Sequence, residues 1–266
     1  MSHLFIYPVK SMTGLMVEQS EVTELGLKND RLFMLVDNDG QFISQRTLPK
    51  MGQLKASLDT NTLSITTPDN RQLTAELDEI TRPINSIHIW QDSVDAFVAN
   101  DNINLWLSDF LQTPVKLVRY NFSKPRASDP EFSRPNDTVS FADGFPLLLT
   151  NKSSLDDLND RLDNPVSMEC FRPNLVVENA PAYAEDNWKS IQIGTHHFDL
   201  VKPCSRCVMT TLDPTTGIKR NDGEPLKTLS TYRKNEFGIC FGVNLIPRSS
   251  GTISVGDPVT IVTMSK

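Results

Sequence analysis

Cys204 and Cys207 stand three positions apart in the stretch Lys202-Pro203-Cys204-Ser205-Arg206-Cys207, which runs directly into Val208-Met209-Thr210-Thr211-Leu212-Asp213-Pro214-Thr215-Thr216-Gly217. A thiolate is a soft ligand that suits a soft or redox-active metal. One Cys-x-x-Cys pair cannot close a tetrahedral zinc site by itself, and the remaining cysteines, Cys170 and Cys240, form no second pair. Three chemistries stay open. The two thiols can be small buried residues, because free Cys packs like a hydrophobe. They can be a thioredoxin-like redox pair, which needs a helix starting at the pair within a βαβ unit. The flanks Phe198-Asp199-Leu200-Val201 and Val208-Met209-Thr210-Thr211-Leu212 are β-rich instead, and Asp213-Pro214 then turns the chain. Or a single thiolate, Cys207, holds a metal that arrives inside a cofactor.

Other polar residues stand where strands begin or end. Tyr7-Pro8-Val9-Lys10-Ser11 follows a short apolar run, Asn29-Asp30-Arg31 precedes another, and Phe141-Ala142-Asp143-Gly144-Phe145-Pro146 is a turn ahead of an apolar stretch. Phe171-Arg172-Pro173-Asn174 leads into Leu175-Val176-Val177. Each has an ordinary explanation in turn chemistry or a strand-end charge.

The elements that must position these residues are mostly strands. Arg31 to Val36, the turn Asp37-Asn38-Asp39-Gly40 and the return Gln41 to Arg46 read as a hairpin. Leu63 to Thr66 with Gln72 to Leu77, and Ser86 to Trp90 with Val94 to Val98, repeat the pattern, which suggests a barrel or sandwich. Helices are few. Ile103, Trp106, Leu107, Phe110 and Leu111 keep helical spacing ahead of Pro114. Ser153 or Ser154 can cap a second helix through Leu155, Leu158 and Leu162. Pro225 can open a third, with Leu226, Leu229 and Tyr232 on one face. Residues 122–138, punctuated by Pro125, Pro130 and Pro135, read as a long irregular connection, a linker or lid. Its Lys124, Arg126 and Arg134 would also suit an anionic ligand. The reading is mostly β (α+β), with an N-terminal domain over 1–120 and a second over 121–266.

Bulk properties narrow the class. The 266 residues carry a net charge of −7, which disfavours a nucleic-acid partner. No stretch approaches the ~20 apolar residues a membrane span needs. The N-terminus lacks the charged start and apolar core of a secretory signal. Four cysteines without such a signal point to free thiols in a reducing compartment, so a soluble, cytoplasmic protein is expected.

Taken in order, Tyr-Pro-Val-Lys-Ser, Asp-Arg, Ala-Asp-Gly-Phe-Pro, Phe-Arg-Pro-Asn, the Cys-Ser-Arg-Cys block and Gly251-Thr252-Ile253-Ser254-Val255-Gly256-Asp257-Pro258-Val259 resemble the MOSC family (molybdenum cofactor sulfurase C-terminal domain) behind its N-terminal β-barrel partner. The resemblance is to the amidoxime-reducing members in particular and covers essentially the whole chain. It implies an N-terminal β-barrel-like domain plus a MOSC β-barrel domain with a few short helices. It implies a molybdenum–molybdopterin cofactor without added nucleotide, with Cys207 as the protein's metal ligand. It also implies that Lys10, Ser11, Arg31, Arg172, Asn174, Ser205 and Arg206 hold the cofactor, and that Asp143 lines the same pocket, as a proton relay or a turn cap. The residue chemistry is compatible. A phosphate takes Lys, Arg and N–H donors, and Asn174 or Asp143 could pair with a pterin's polar edge. One departure stands out: Gly144 and Phe145 occupy positions where the amidoxime-reducing proteins carry hydroxyls, so contacts there must come from backbone N–H groups.

The activity so implied is reduction of N-hydroxylated or N-oxide compounds such as hydroxylamines, amidoximes and N-hydroxylated bases. The four cysteines do not fit the spacing of a plant-type ferredoxin cluster, and there is no Gly-x-Gly-x-x-Gly fingerprint. Electrons are therefore expected from a separate redox protein. The alternative is a carrier that binds the cofactor or delivers sulfur without turnover.

Overall fold

The strand Phe33–Val36 shows how the pattern builds the core. All four of its residues are buried, and alternate side chains leave a strand on opposite faces. Phe33 and Leu35 enter one core with Met12, Met51, Ile65 and Leu107. Met34 and Val36 enter a second with Ile87, Ile89, Val118 and Phe141. A third core, around Leu4, Leu147, Leu175, Phe198 and Leu245, belongs to the other half of the molecule.

The computed structural model describes residues 1–265. The fold is mostly strand, with three α-helices. Five sheets are present, the largest of nine strands, and none closes on itself among the described residues. Strand pairing interleaves along the chain. His3–Ile6 and Leu15–Val17 belong to the nine-stranded sheet, whose remaining strands lie beyond residue 146. In return, Gly251–Ser254 pairs with Gln19–Thr23. Lys116–Tyr120 ends at residue 120 and completes a four-stranded sheet with Phe33–Val36, Arg82–Ile89 and Asp92–Val98. Leu147–Asn151 and Leu175–Val177 run parallel, so a crossover carrying the helix Lys152–Asn159 must join them. Every residue of Leu147–Asn151 is buried, as a strand covered on both faces requires.

Several expectations shift. The hairpin return at 41–46 is not a strand. After a bridge between Val36 and Phe42, the Ser44 carbonyl accepts from Thr47 and Leu48 N–H at 3.1 and 2.9 Å, and the chain turns away. The second helix is capped by Asn151, whose side chain accepts from Ser153 N–H, and it ends at Asn159, so Leu162 lies beyond it. The third helix is Leu226–Tyr232, with Pro225 at its cap. Val208–Thr211 forms a 3₁₀ turn where the sequence reads as β-rich.

The connection 122–138 spends its basic residues inside the protein rather than on a ligand. Lys124 pairs with Asp95 and Arg134 with Asp199. Arg126 is buried: its Nε bonds Asp92 at 2.6 Å, its Nη1 the Ser140 and Ala142 carbonyls, and its Nη2 the Asp143 carbonyl at 2.7 Å. Arg248 grips Asp137 with both Nη atoms at 2.6 and 3.0 Å. The segment is therefore pinned at both ends, and Arg126 holds the turn that carries Asp143. Replacing Arg126 by Met strands three carbonyls in a buried place. The expected cost is about 3 kcal/mol of unfolding free energy, read by urea denaturation; a loss below ~1 kcal/mol would show that the turn stands without it.

Candidate functional site

The strand-end residues meet at one cleft. Lys10, Ser11, Arg31, Asp143, Arg172, Asn174, Ser205, Arg206 and Cys207 all line it, although they come from distant parts of the chain. The cleft encloses about 850 Å³ of empty space, part of it open to solvent. Phe42, Ser44, Arg46, Trp90, Cys204 and Met209 also face it.

A buried knot sets its floor. The Asp30 carboxylate is fully buried and accepts Tyr7 N–H at 2.8 Å and Arg31 Nη1 at 2.6 Å. Arg31 Nη1 also donates to Asn174 Oδ1 at 3.0 Å, and its Nη2 to the Arg172 carbonyl at 3.3 Å. Asn174 Oδ1 accepts from Leu148 N–H as well, and its Nδ2 donates to the Phe5 carbonyl. The amide of Asn174 is thus largely committed to holding Arg31, leaving one N–H for a ligand. The guanidinium groups of Arg31 and Arg172 each lie 4.3 Å from the Tyr7 ring centroid. Ser11, Arg31 and Arg172 all have left-handed backbones, with φ of 65°, 49° and 54°. Such strain in non-glycine residues collects where side chains must be aimed at a ligand.

The charges are lopsided. Five cationic side chains (Lys10, Arg31, Arg46, Arg172, Arg206) and one carboxylate, Asp143, line the cleft. Asp30 answers Arg31, and Asp143 Oδ1 answers Lys10 at 2.5 Å. No carboxylate pairs with Arg46, Arg172 or Arg206 among the described residues. Buried Nη2 of Arg172 and Nε of Arg206 have no hydrogen-bond partner at all, and a buried unpaired donor costs free energy until something fills it. Burial pushes Arg172 down to about 10, with the neighbouring Arg31 charge working in the same direction against the help of Tyr7. N–H groups at Asp143, Gly144 and Phe145 find no protein acceptor among the described residues, so the backbone donors expected at this turn are free.

Lys10 and Asp143 divide one proton clearly. Three-quarters of the Asp143 side chain faces the open cleft (74%). Partial desolvation would raise its carboxyl, but the Lys10 ammonium, Arg31 and the Trp90 indole N–H outweigh that and hold it well below the usual range. Burial lowers Lys10 despite the stabilising carboxylate. Asp143 is therefore held ionised and is the carboxylate that answers Lys10 in the cleft.

Cys207 is exposed and caps the 3₁₀ turn Val208–Thr211, with its carbonyl accepting from Thr210 N–H at 3.1 Å. Cys204 is half-buried, and its sulfur accepts from Arg206 Nη1 at 2.8 Å, while Arg206 Nη2 donates to the Phe171 carbonyl at 2.6 Å. Ser205 beside them fits only because residue 238 is glycine: a Cβ there would stand 2.7 Å from Ser205 Oγ, at a φ of 110°. No group of three or more His, Cys, Asp or Glu that could hold a metal occurs among the described residues. A metal beside Cys207 would draw its other donors from a cofactor.

Sequence reasoning missed Phe42, Ser44, Arg46 and Trp90. The Phe42 and Trp90 rings lie 4.9 Å apart, and the Arg46 guanidinium stands 4.5 Å from the Trp90 centroid. A faint signal was available, since Trp90 is a large apolar residue next to a hairpin turn, where burial is hard to arrange.

Comparison with known proteins now gives the family. Residues 1–114 match the MOSC N-terminal beta barrel domain and residues 136–260 the MOSC domain. The human protein named mitochondrial amidoxime-reducing component 1 is 31% identical, over an alignment covering 98% of this chain and 82% of that protein. Its Xenopus laevis counterpart is 32% identical with the same coverage. The rat protein named mitochondrial amidoxime reducing component 2 is 33% identical over 97% of this chain and 82% of its own length. The chain belongs to the MOSC family, with a match to the MOSC N-terminal beta barrel domain ahead of the match to the MOSC domain.

The Lys10–Asp143 pair predicts a pH signature. Asp143→Asn leaves the buried ammonium without its carboxylate and depresses Lys10 further. A depressed lysine weakens the fold while it is protonated in both states, and stability returns as pH rises from the folded towards the unfolded pKa near 10.5. The variant's melting temperature should be lower at pH 7 and climb between pH 7 and 10 by more than that of the wild type. Parallel profiles would remove the pair from this account.

Proposed function

We propose that the cleft binds a molybdenum–molybdopterin cofactor and that the protein reduces N-hydroxylated or N-oxide compounds, with electrons delivered by a separate redox protein. The observation that carries this reading is one of charge and donors. Three guanidiniums without carboxylates (Arg46, Arg172 and Arg206), two of them with an unpaired buried N–H, line the same cleft as an exposed thiol and the turn at Asp143–Phe145 whose backbone N–H groups lack protein acceptors among the described residues. That set suits a ligand with an anionic phosphate at one end and a soft metal at the other. The names of the relatives support the reductase activity; the MOSC domain supports the cofactor.

When bound, the cofactor supplies two-electron redox chemistry at its metal. The chain's residues would do the rest. Cys207 Sγ is placed to be the protein's thiolate donor. Arg172 and Arg206 hold the anionic end, Ser205 and Ser11 add hydroxyl donors, and the Asp143–Phe145 backbone supplies N–H groups where relatives use side-chain hydroxyls. Arg31 is fixed by Asp30 and Asn174, so the cradle keeps its shape before a ligand enters. The overall reaction, a hydroxylamine plus two electrons and two protons giving an amine and water, needs a proton source. The Lys10–Asp143 ion pair lines the cleft and would serve as that source, with Asp143 as the relay or as the cap that fixes the turn. No cluster-type cysteine spacing or dinucleotide fingerprint occurs within these 266 residues, so the electrons come from another centre. A cytoplasmic setting fits the free thiols and is part of this proposal.

Protein expressed with the cofactor pathway intact should contain molybdenum near one atom per chain by elemental analysis. With a reduced viologen as donor it should reduce N-hydroxylated bases; with NADH alone it should not. Cys207→Ser should abolish turnover and alter the metal's spectrum, while Cys204→Ser should be milder, because the sulfur of Cys204 is engaged by Arg206. Molybdenum without turnover would favour a carrier, and equal losses in the two serine variants would remove Cys207 as the ligand.

A further inference from the structure

Resting on that reading, the three guanidiniums without carboxylates separate into two groups. Arg172 and Arg206 line the cleft, and each carries one buried N–H without a partner. Arg46 does not belong with them. It is half-buried, its Nε donates to Ser44 Oγ at 3.2 Å, and neither Nη meets a protein acceptor among the described residues. The guanidinium carbon lies over the Trp90 indole, 4.5 Å from its centroid, and 5.8 Å from that of the Phe42 ring. Trp90 is 46% exposed and adopts a left-handed backbone with φ of 57°. A bulky residue is costly in that conformation, and an exposed indole gains nothing from burial. Both costs are borne at a residue that also lines the cleft and donates its N–H to Asp143 at 3.2 Å.

We propose that Phe42, Trp90 and Arg46 form a substrate subsite for a planar heteroaromatic base that carries an anionic substituent, the chemistry of a nucleoside monophosphate. The exposed Trp90 indole, backed by the partly buried Phe42 ring, offers a surface on which a base can stack. Arg46 is pre-oriented by its stacking and by Ser44, so its two free Nη groups form a fork for an anion's oxygens. Lys10 also stands 5.5 and 5.9 Å from the two rings, but its charge is already answered by Asp143. Arg46 is therefore the cation left for a substrate charge on this wall. It places an N-hydroxylated base on the same side of the cleft as the Lys10–Asp143 pair.

The test uses the full chain isolated with its cofactor. Calorimetric titration with cytidine 5′-monophosphate, cytidine and inorganic phosphate should show the monophosphate binding at least tenfold more tightly than either fragment. Arg46→Met should reduce the monophosphate to the affinity of cytidine and leave molybdenum content unchanged. Trp90→Leu should weaken cytidine and the monophosphate together. In turnover, Arg46→Met should raise KM roughly tenfold for N4-hydroxycytidine 5′-monophosphate and leave that for N4-hydroxycytidine within twofold. Equal binding of nucleoside and monophosphate by the wild type would overturn the anion fork. Phosphate alone binding as tightly as the monophosphate would overturn the stacking wall. Loss of molybdenum from Arg46→Met would assign Arg46 to the cofactor instead. If the binding preference holds while no N-hydroxylated compound is reduced, the subsite stands and the reductase reading falls.

Discussion

A carboxylate shut away from water must be met by a cation and by hydrogen-bond donors, and Asp30 is the place where this requirement shapes the molecule. Arg31 lies next to it in sequence, yet the pair alone would leave much of the guanidinium unanswered. Asn174 Oδ1 and the Arg172 carbonyl take two more of its donors, while Tyr7 N–H donates to the other carboxylate oxygen. The knot therefore joins residues 7, 30–31 and 172–174. It cannot form unless His3–Ile6 pairs with Leu175–Val177 across the sheet. The turn before Leu147–Asn151 is drawn in by the same means, since Phe141 N–H donates to the Arg31 carbonyl at 3.0 Å. The interleaving of strands from both ends of the chain and the convergence of polar strand ends are two views of one constraint.

With that frame fixed, the excess positive charge has a structural meaning. Lys10 and Arg31 have carboxylate partners from the protein; Arg172 and Arg206 do not. A fold that evolved only for stability would pair such groups or replace them by apolar side chains of similar size. Retaining them with unfilled donors costs stability in the free protein, a cost recovered when an anion binds the folded state. The same logic separates Arg172 and Arg206, each with a buried unpaired N–H, from Arg46, which has no such atom.

Much of this was legible in the sequence because the informative residues sit at strand ends, where a polar group interrupts an apolar pattern. Lys10, Arg31, Asp143, Arg172 and Cys207 could each be located that way. The aromatic wall could not. Gln41 to Arg46 holds no Gly or Pro to break the return of the hairpin, and only the Ser44 carbonyl, by accepting from Thr47 and Leu48, diverts the chain beside the cleft that Phe42 and Arg46 line. Nothing in a period-2 pattern records that choice. The basic residues of 122–138 misled for the converse reason. Their partners, Asp95, Asp199 and the carbonyls around Ala142, are far away in sequence, so their charges look available when they are already in use.

The two cysteines of the Cys-x-x-Cys pair illustrate how spacing becomes chemistry through local backbone. Cys204 lies inside the strand His196–Ser205 and Cys207 just past its end. The strand stops because Arg206 N–H turns to the Ile239 carbonyl at 2.7 Å and the 3₁₀ turn begins at Val208. That change of conformation carries Cys204 back towards Arg206, which donates to its sulfur, and leaves Cys207 exposed with no partner for its own among the described residues. Burial pushes the Cys170 thiol up to about 11 and raises Cys240 as well, so neither is suited to give a thiolate near neutral pH. Of four thiols, the fold occupies one, buries two and presents one. A single soft donor beside an anion cradle is what a site requires when the metal brings its remaining ligands with it.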